Sequence, residues 1–67
     1  MDKLVVKAIK AADKAEKEGL LTGRTKREFA GEWLYHTDYA QRLMNSRNYH
    51  LIRDMSSQLD NFYQECR

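Results

Sequence analysis

The sequence contains no proline, three glycines and one cysteine among its 67 residues. The lack of proline removes the residue that breaks helices most strongly. A single cysteine, Cys66, excludes an intrachain disulfide and a thiolate cluster for zinc. A chain this short rarely gains more than about 3 to 5 kcal/mol from its core. The fold must therefore pack efficiently or gain stability from a partner.

A long apolar run is also missing. The segment from Leu4 to Ala12 is interrupted by Lys7 and Lys10, so it is neither a signal-peptide core nor the roughly 20 apolar residues that span a membrane. We therefore expect a soluble, cytoplasmic protein with no membrane partner. The net charge is +2, from 12 basic and 10 acidic residues. This balance differs from the strong basic excess of most nucleic-acid-binding domains.

Apolar residues recur at helical spacing in three segments, and no stretch shows the alternation of a β-strand. We expect an all-α protein that forms a single domain over residues 1–67, as a small three-helix bundle with helices near residues 3–18, 26–44 and 48–65. The expected inner face of helix two contains Phe29, Ala30, Trp33, His36, Thr37, Ala40, Leu43 and Met44. The apolar stripe of helix three contains Leu51, Ile52, Met55, Leu59, Phe62, Tyr63 and Cys66.

A second architecture fits the same pattern. No glycine or proline follows Gly31, and the apolar arcs of the second and third segments differ by only about 50° in helical phase. The alternative is a helical hairpin with one long second helix over residues 26–65. Such a monomer has too little core and must dimerise to bury its stripes. A homodimer is therefore among the expected assemblies.

Local signals mark the ends of the first two helices. Gly19 predicts a left-handed C-cap for helix one, with Leu20 folded back towards Ala15 and into the core. The segment Thr25–Glu28 has the spacing of a capping box, in which a hydroxyl and a carboxylate serve the first backbone amides of a helix. Helix two is therefore expected to begin at Lys26.

The chain offers no convincing catalytic or metal-binding group. His50, Asp54 and Ser57 share one face of helix three. These are the residue types of a hydrolytic triad, in which the histidine must lie between the carboxylate and the hydroxyl. Here Asp54 lies in the middle, and His50 and Ser57 are about 10.5 Å apart along the helix, so the geometry argues against a triad. His36 and His50 are fourteen residues apart on different elements, and neither has a second histidine or a cysteine four residues away. We expect no enzymatic activity, no cofactor, no bound metal and no small-molecule substrate.

Basic residues are the main features that suggest nucleic acid. A lysine ladder follows one face of helix one and consists of Lys3, Lys7, Lys10, Lys14 and Lys17. Four acidic residues flank it and reduce the net charge of helix one to +1, namely Asp2, Asp13, Glu16 and Glu18. A second basic group surrounds the N-terminus of helix two, where free amides favour anions, and consists of Arg24, Lys26 and Arg27. These eight residues predict, as the alternative function, a small nucleic-acid-binding regulator. A solvated face is the commoner meaning of such a ladder.

A tyrosine stripe on the outer face of helix two is the candidate for a protein interface. It consists of Glu32, Tyr35, Tyr39 and Arg42, at steps of three, four and three. Tyrosine and arginine are enriched at the centres of protein interfaces because they give large contact areas and directional hydrogen bonds. The competing interpretation is that both tyrosines edge the core beneath a neighbouring helix.

The leading hypothesis is a non-enzymatic helical interaction protein that binds a protein partner, or itself. Small chains of this kind are often regulators or inhibitors of larger complexes, including those made by phages and plasmids. This expectation rests on the size of the chain and not on any of its residues. Neither size nor fold defines a function. The expected mechanism is steric, with the tyrosine stripe occupying a surface of the larger complex.

Overall fold

Four α-helices surround the apolar side chains in the computed structural model, which describes residues 1–65. They are α1 (Lys3–Lys17), α2 (Lys26–Tyr35), α3 (Asp38–Asn45) and α4 (Tyr49–Glu65). α2 packs mainly on α1, and α4 contacts each of the other helices. No strand occurs in the described part of the chain. The all-α prediction is confirmed.

α1 is amphipathic, as its sequence pattern predicts. It begins after Asp2, whose carboxylate accepts a hydrogen bond from the Leu4 amide at 2.9 Å. Its buried face consists of Val5, Ala8, Ile9, Ala12 and Ala15. Because three of these side chains are alanine, α2 can approach α1 closely.

The end of α1 confirms one prediction and contradicts another. Gly19 has a φ of +71°, and the Leu20 amide donates to the Ala15 carbonyl at 2.8 Å, which is the Schellman arrangement. The prediction that Leu20 enters the core is wrong, because its side chain is 53% exposed. The motif fixes the backbone only, and Leu20 lies at the edge of a shallow depression beside Phe29 and Trp33.

A tight turn connects α1 to α2. The Arg24 amide donates to the Leu21 carbonyl at 3.0 Å, and the two central residues, Thr22 and Gly23, have φ values of +51° and +86°. Positive φ at both positions is the pattern of a type I′ turn. Glycine adopts this conformation readily, whereas a β-branched residue such as threonine is strained there.

Replacing Thr22 with asparagine is expected to stabilise the protein by about 1 kcal/mol, because asparagine before glycine is favoured in this turn and tolerates positive φ. Urea unfolding followed by circular dichroism measures the change. Thr22→Val is the matched control, since it keeps the branch at Cβ and therefore the strain. Equal stability of the two variants would show that backbone strain at residue 22 is not the cause.

α2 begins at Lys26, as the capping box predicts. The Glu28 amide donates to the Thr25 hydroxyl at 3.1 Å. The other half of the predicted capping box is wrong, because the Glu28 carboxylate accepts from the Thr25 hydroxyl at 3.2 Å rather than from the Thr25 amide. The beginning of the helix is therefore held by the two residues that the sequence signal identified.

The prediction of one helix over residues 26–44 is wrong, because the chain breaks between α2 and α3. Thr37 has an extended backbone, with φ −74° and ψ 151°. Its hydroxyl accepts from the Ala40 amide at 3.2 Å and donates to the Leu34 carbonyl at 2.8 Å. One side chain thus caps the start of α3 and also satisfies a carbonyl at the end of α2.

The alternative of one long helix over residues 26–65 is also wrong. Ser46 is extended, with ψ 176°, and its hydroxyl donates to the Leu43 carbonyl at 3.1 Å and accepts from the Asn48 amide at 3.3 Å. This turn lets α4 fold back along α3. The apolar stripes are therefore buried within one chain, and the hairpin that must dimerise is not formed. Homodimerisation through another surface stays a prediction.

The core differs in part from the predicted inner faces. It consists of Val5, Ala8, Ile9, Ala12, Ala30, Leu34, Ala40, Leu43, Ile52, Met55 and Leu59. Leu34 is fully buried although the predicted inner face omitted it, while His36, Met44 and Leu51 are exposed. The error at Met44 follows from the break at Thr37, because one continuous helical phase does not describe two helices. Cys66 lies outside the described residues.

Candidate functional site

The tyrosine stripe lies on two helices rather than on one face of a single helix. Glu32 and Tyr35 belong to α2, and Tyr39 and Arg42 belong to α3. The break at Thr37 separates the two pairs, so the regular spacing in the sequence does not correspond to one continuous row. Each pair must be considered in its own environment.

The α2 pair makes contacts within the fold. The Glu32 carboxylate forms an ion pair with the Arg24 guanidinium. The Tyr35 hydroxyl lies 3.1 Å from the Ser56 hydroxyl on α4, although 38% of Tyr35 remains exposed. Both residues thus help to join elements of the structure. This role makes them weaker candidates for anchoring a partner.

The α3 pair is available to a partner. Tyr39 is 51% exposed, and Arg42 is exposed. Within residues 1–65, neither side chain makes a hydrogen bond or an ion pair. Residues three apart are neighbours on a helix surface. Tyr39 and Arg42 therefore present an aromatic ring and a guanidinium side by side.

Sequence reasoning missed a second pair of the same kind on α4. Tyr49 is 58% exposed, and Arg53, one helical turn later, is also exposed. Tyr49 is the first residue of its helix, where it lies outside the apolar stripe used for the prediction. The sequence signal that could have found this pair is its spacing of four residues, which makes two side chains neighbours on a helix surface.

Within residues 1–65, most of the large exposed apolar side chains belong to the segment from the end of α2 to the start of α4. Outside Met1 and Leu20, the large exposed apolar residues are Tyr35, Tyr39, Met44, Tyr49 and Leu51. Arg47, in the turn between α3 and α4, is exposed as well. We use the name tyrosine–arginine hairpin for Tyr39, Arg42, Arg47, Tyr49 and Arg53.

The basic residues at the start of α2 form ion pairs with acidic residues of other helices. The Lys26 ammonium lies 3.3 Å from the Asp13 carboxylate and 3.7 Å from that of Glu16. The hydrogen bond that Lys26 donates to Asp13 and the negative charge of Glu16 raise the pKa of Lys26 above its usual value. Arg27 donates from Nε to the Asp60 carboxylate at 2.6 Å. These pairs connect α2 to α1 and to α4.

Arg24 is similarly engaged. Besides its ion pair with Glu32, its Nε donates to the Leu21 carbonyl at 3.0 Å, and its guanidinium lies 5.1 Å from the centre of the Phe29 ring. A phosphate at the start of α2 would compete with the intramolecular contacts of Arg24, Lys26 and Arg27. Anion binding at this helix end stays a prediction.

The lysine ladder, in contrast, is open to solvent. All five of its side chains are exposed. None of them forms an ion pair with another residue of the described chain. The ladder lies on the side of α1 opposite the buried alanine-rich face. It is a separate surface from the tyrosine–arginine hairpin, which belongs to other helices.

The concave features are shallow. Phe29 and Trp33 border two open depressions, one of about 400 Å³ and one of about 360 Å³. Across residues 1–65, no three histidine, cysteine or acidic side chains are grouped so that they could hold a metal ion. No helix in this range has the length and apolar character needed to cross a membrane.

Comparison with known proteins gives no relative, since the chain matches no protein-family model, no curated protein and no solved structure. The function must therefore be argued from the residues themselves.

Proposed function

We propose that this is a non-enzymatic interaction protein that binds a protein partner through the tyrosine–arginine hairpin and regulates a larger complex by occupying its surface. The observation that carries the proposal is the presence of two exposed tyrosine–arginine pairs on adjacent helices. One pair lies on α3 and the other on α4. Neither is needed to fill the core.

The chemistry of these side chains suits an interface. A tyrosine ring buries a large area at a low cost in conformational entropy, and its hydroxyl finds a partner at the edge of the contact. A guanidinium binds a carboxylate through two parallel hydrogen bonds. Truncating a central residue of this type typically costs about 2 kcal/mol or more in binding. Acidic groups on the partner would complement the three arginines.

The distribution of basic residue types supports the same division of roles. Lysine supplies all the bases of α1, whereas arginine supplies those of α3, α4 and the turn between them, within residues 1–65. Lysine is a strongly hydrated point charge, and arginine is less hydrated and presents a planar fork of donors. Removing arginine from water in a protein contact therefore costs less free energy than removing lysine.

Substitution of each pair tests the proposal. Tyr39→Ala with Arg42→Ala, and separately Tyr49→Ala with Arg53→Ala, are expected to weaken partner capture at least tenfold, which corresponds to about 1.4 kcal/mol. Helicity and the thermal midpoint should be kept, because the side chains are exposed. Capture on immobilised protein, quantified by mass spectrometry against wild type, measures the effect.

Lys10→Ala with Lys14→Ala is the matched control on α1, and it should retain capture. If the partner is a second copy of the chain, sedimentation equilibrium should show a dimer that one of the hairpin variants abolishes. Full retention of the captured protein by both hairpin variants would exclude this surface.

A further inference from the structure

We propose that the lysine ladder on α1 binds the phosphate backbone of a nucleic-acid duplex. This site is independent of the tyrosine–arginine hairpin. The sequence alone left the ladder between a solvated face and a binding surface. The contacts of the surrounding acidic residues favour binding.

The geometry of the ladder suits a linear polyanion. At 100° per residue, the five lysines fall within an arc of about 80° on α1. They extend over about 21 Å of helix, and every one of them is exposed. A row of ammonium groups of this length can meet several consecutive phosphates.

Glu16 faces away from the ladder, and Asp13 lies at its edge. Asp13 and Glu16 lie about 80° and 140° from its centre, and both approach the Lys26 ammonium on α2. Asp2 is used as the cap of α1. Of the four acids that flank the ladder in sequence, only Glu18 remains beside it without such a contact. The low net charge of helix one therefore understates the positive potential of this face.

A duplex fits this surface better than a membrane. An amphipathic helix binds a membrane surface by inserting its apolar face. The apolar face of α1 is buried in the core, so that insertion would require unfolding. Lysines also contact phosphates without reading base edges, so the expected binding does not depend on sequence.

The test is fluorescence anisotropy of a labelled duplex of random sequence, titrated at several salt concentrations. Five phosphate contacts predict that log K falls with log salt with a slope of about −4.5. Between 50 and 200 mM salt, affinity should therefore fall by about 500-fold. Absence of binding at 50 mM salt would overturn the proposal.

Two triple variants with the same net charge separate the ladder from general electrostatic attraction. Lys7→Gln, Lys10→Gln and Lys14→Gln together should reduce the slope to about −1.8, because three contacts are lost. Arg42→Gln, Arg47→Gln and Arg53→Gln together should leave the slope unchanged. Circular dichroism confirms folding of both. Equal effects of the two variants on the slope would overturn the proposal. The proposal would also be overturned if polyglutamate displaced the labelled duplex as effectively as unlabelled duplex of equal total charge.

Discussion

Replacing Leu34 with alanine is expected to unfold a large fraction of the protein at room temperature. Leu34 is fully buried, and its side chain is part of the core formed by all four helices. Removing a buried leucine side chain to Cβ costs about 2 to 5 kcal/mol, which includes the cavity left behind. A core of this size supplies about 3 to 5 kcal/mol in total. The substitution therefore removes most of the stability.

Circular dichroism at 222 nm as a function of urea measures this loss. Leu20→Ala is the matched control, because the same atoms are removed from a side chain that is 53% exposed. A surface substitution of that kind usually changes stability by less than about 0.5 kcal/mol. Similar losses for the two variants would mean that Leu34 does not occupy the core.

Replacing Ala12 with leucine is expected to destabilise the protein by about 1 to 3 kcal/mol through overpacking. Ala12 is fully buried on the face of α1 that the core covers. Alanine and leucine have nearly the same helix propensity, so the change reports on packing rather than on helix formation. The effect should appear as a lower unfolding midpoint in urea.

The same substitution at the next residue gives the control. Ala11 is only half-buried and borders the open depression beside Phe29 and Trp33. Ala11→Leu has room for its side chain and should be neutral or slightly stabilising. If Ala12→Leu were as stable as wild type, the close approach of α2 to the alanine face would be contradicted.

The helix ends that the sequence predicted correctly are those with strictly local signals. Gly19 and the box Thr25–Glu28 act through backbone groups within five residues, so no distant contact alters the outcome. The break at Thr37 also has a local signal, because threonine is a good N-cap and Asp38 follows in the first turn. The prediction missed this break because it placed Thr37 on the inner face of one continuous helix. The Gln41 side chain, which donates to the Tyr35 carbonyl at 2.6 Å, completes this junction.

The burial of Leu34 illustrates a different limit. Phe29 and Trp33 are bulky and suggested the inner face of helix two, but they are only half-buried. The fully buried pair is Ala30 and Leu34, one turn apart. Small residues inside and aromatic residues at the edge are the consequence of close helix approach. Periodicity cannot reveal that distance, since it contains no information about the neighbouring helix.

The candidate surfaces also divide into features that local sequence predicts and features that depend on contacts between distant residues. Tyr39 and Arg42 are exposed, as their positions outside the apolar arc of the sequence predicted. The engagement of Arg24 and Arg27 depends on partners eight and 33 residues away, and the bond from Tyr35 reaches Ser56 on α4. Such long-range pairs arise only from the packed fold. They give residues that resemble a binding site in sequence a contact within the fold.

The central claim is that the tyrosine–arginine hairpin meets a protein partner, and site-specific photo-crosslinking in cells that express the protein tests it most directly. A benzophenone amino acid replaces Tyr39, Tyr49 or, as the control, Lys10. We expect one discrete protein adduct from position 39 or 49 and none from position 10. Adducts from position 10 alone, or the same mixture from all three positions, would contradict the account.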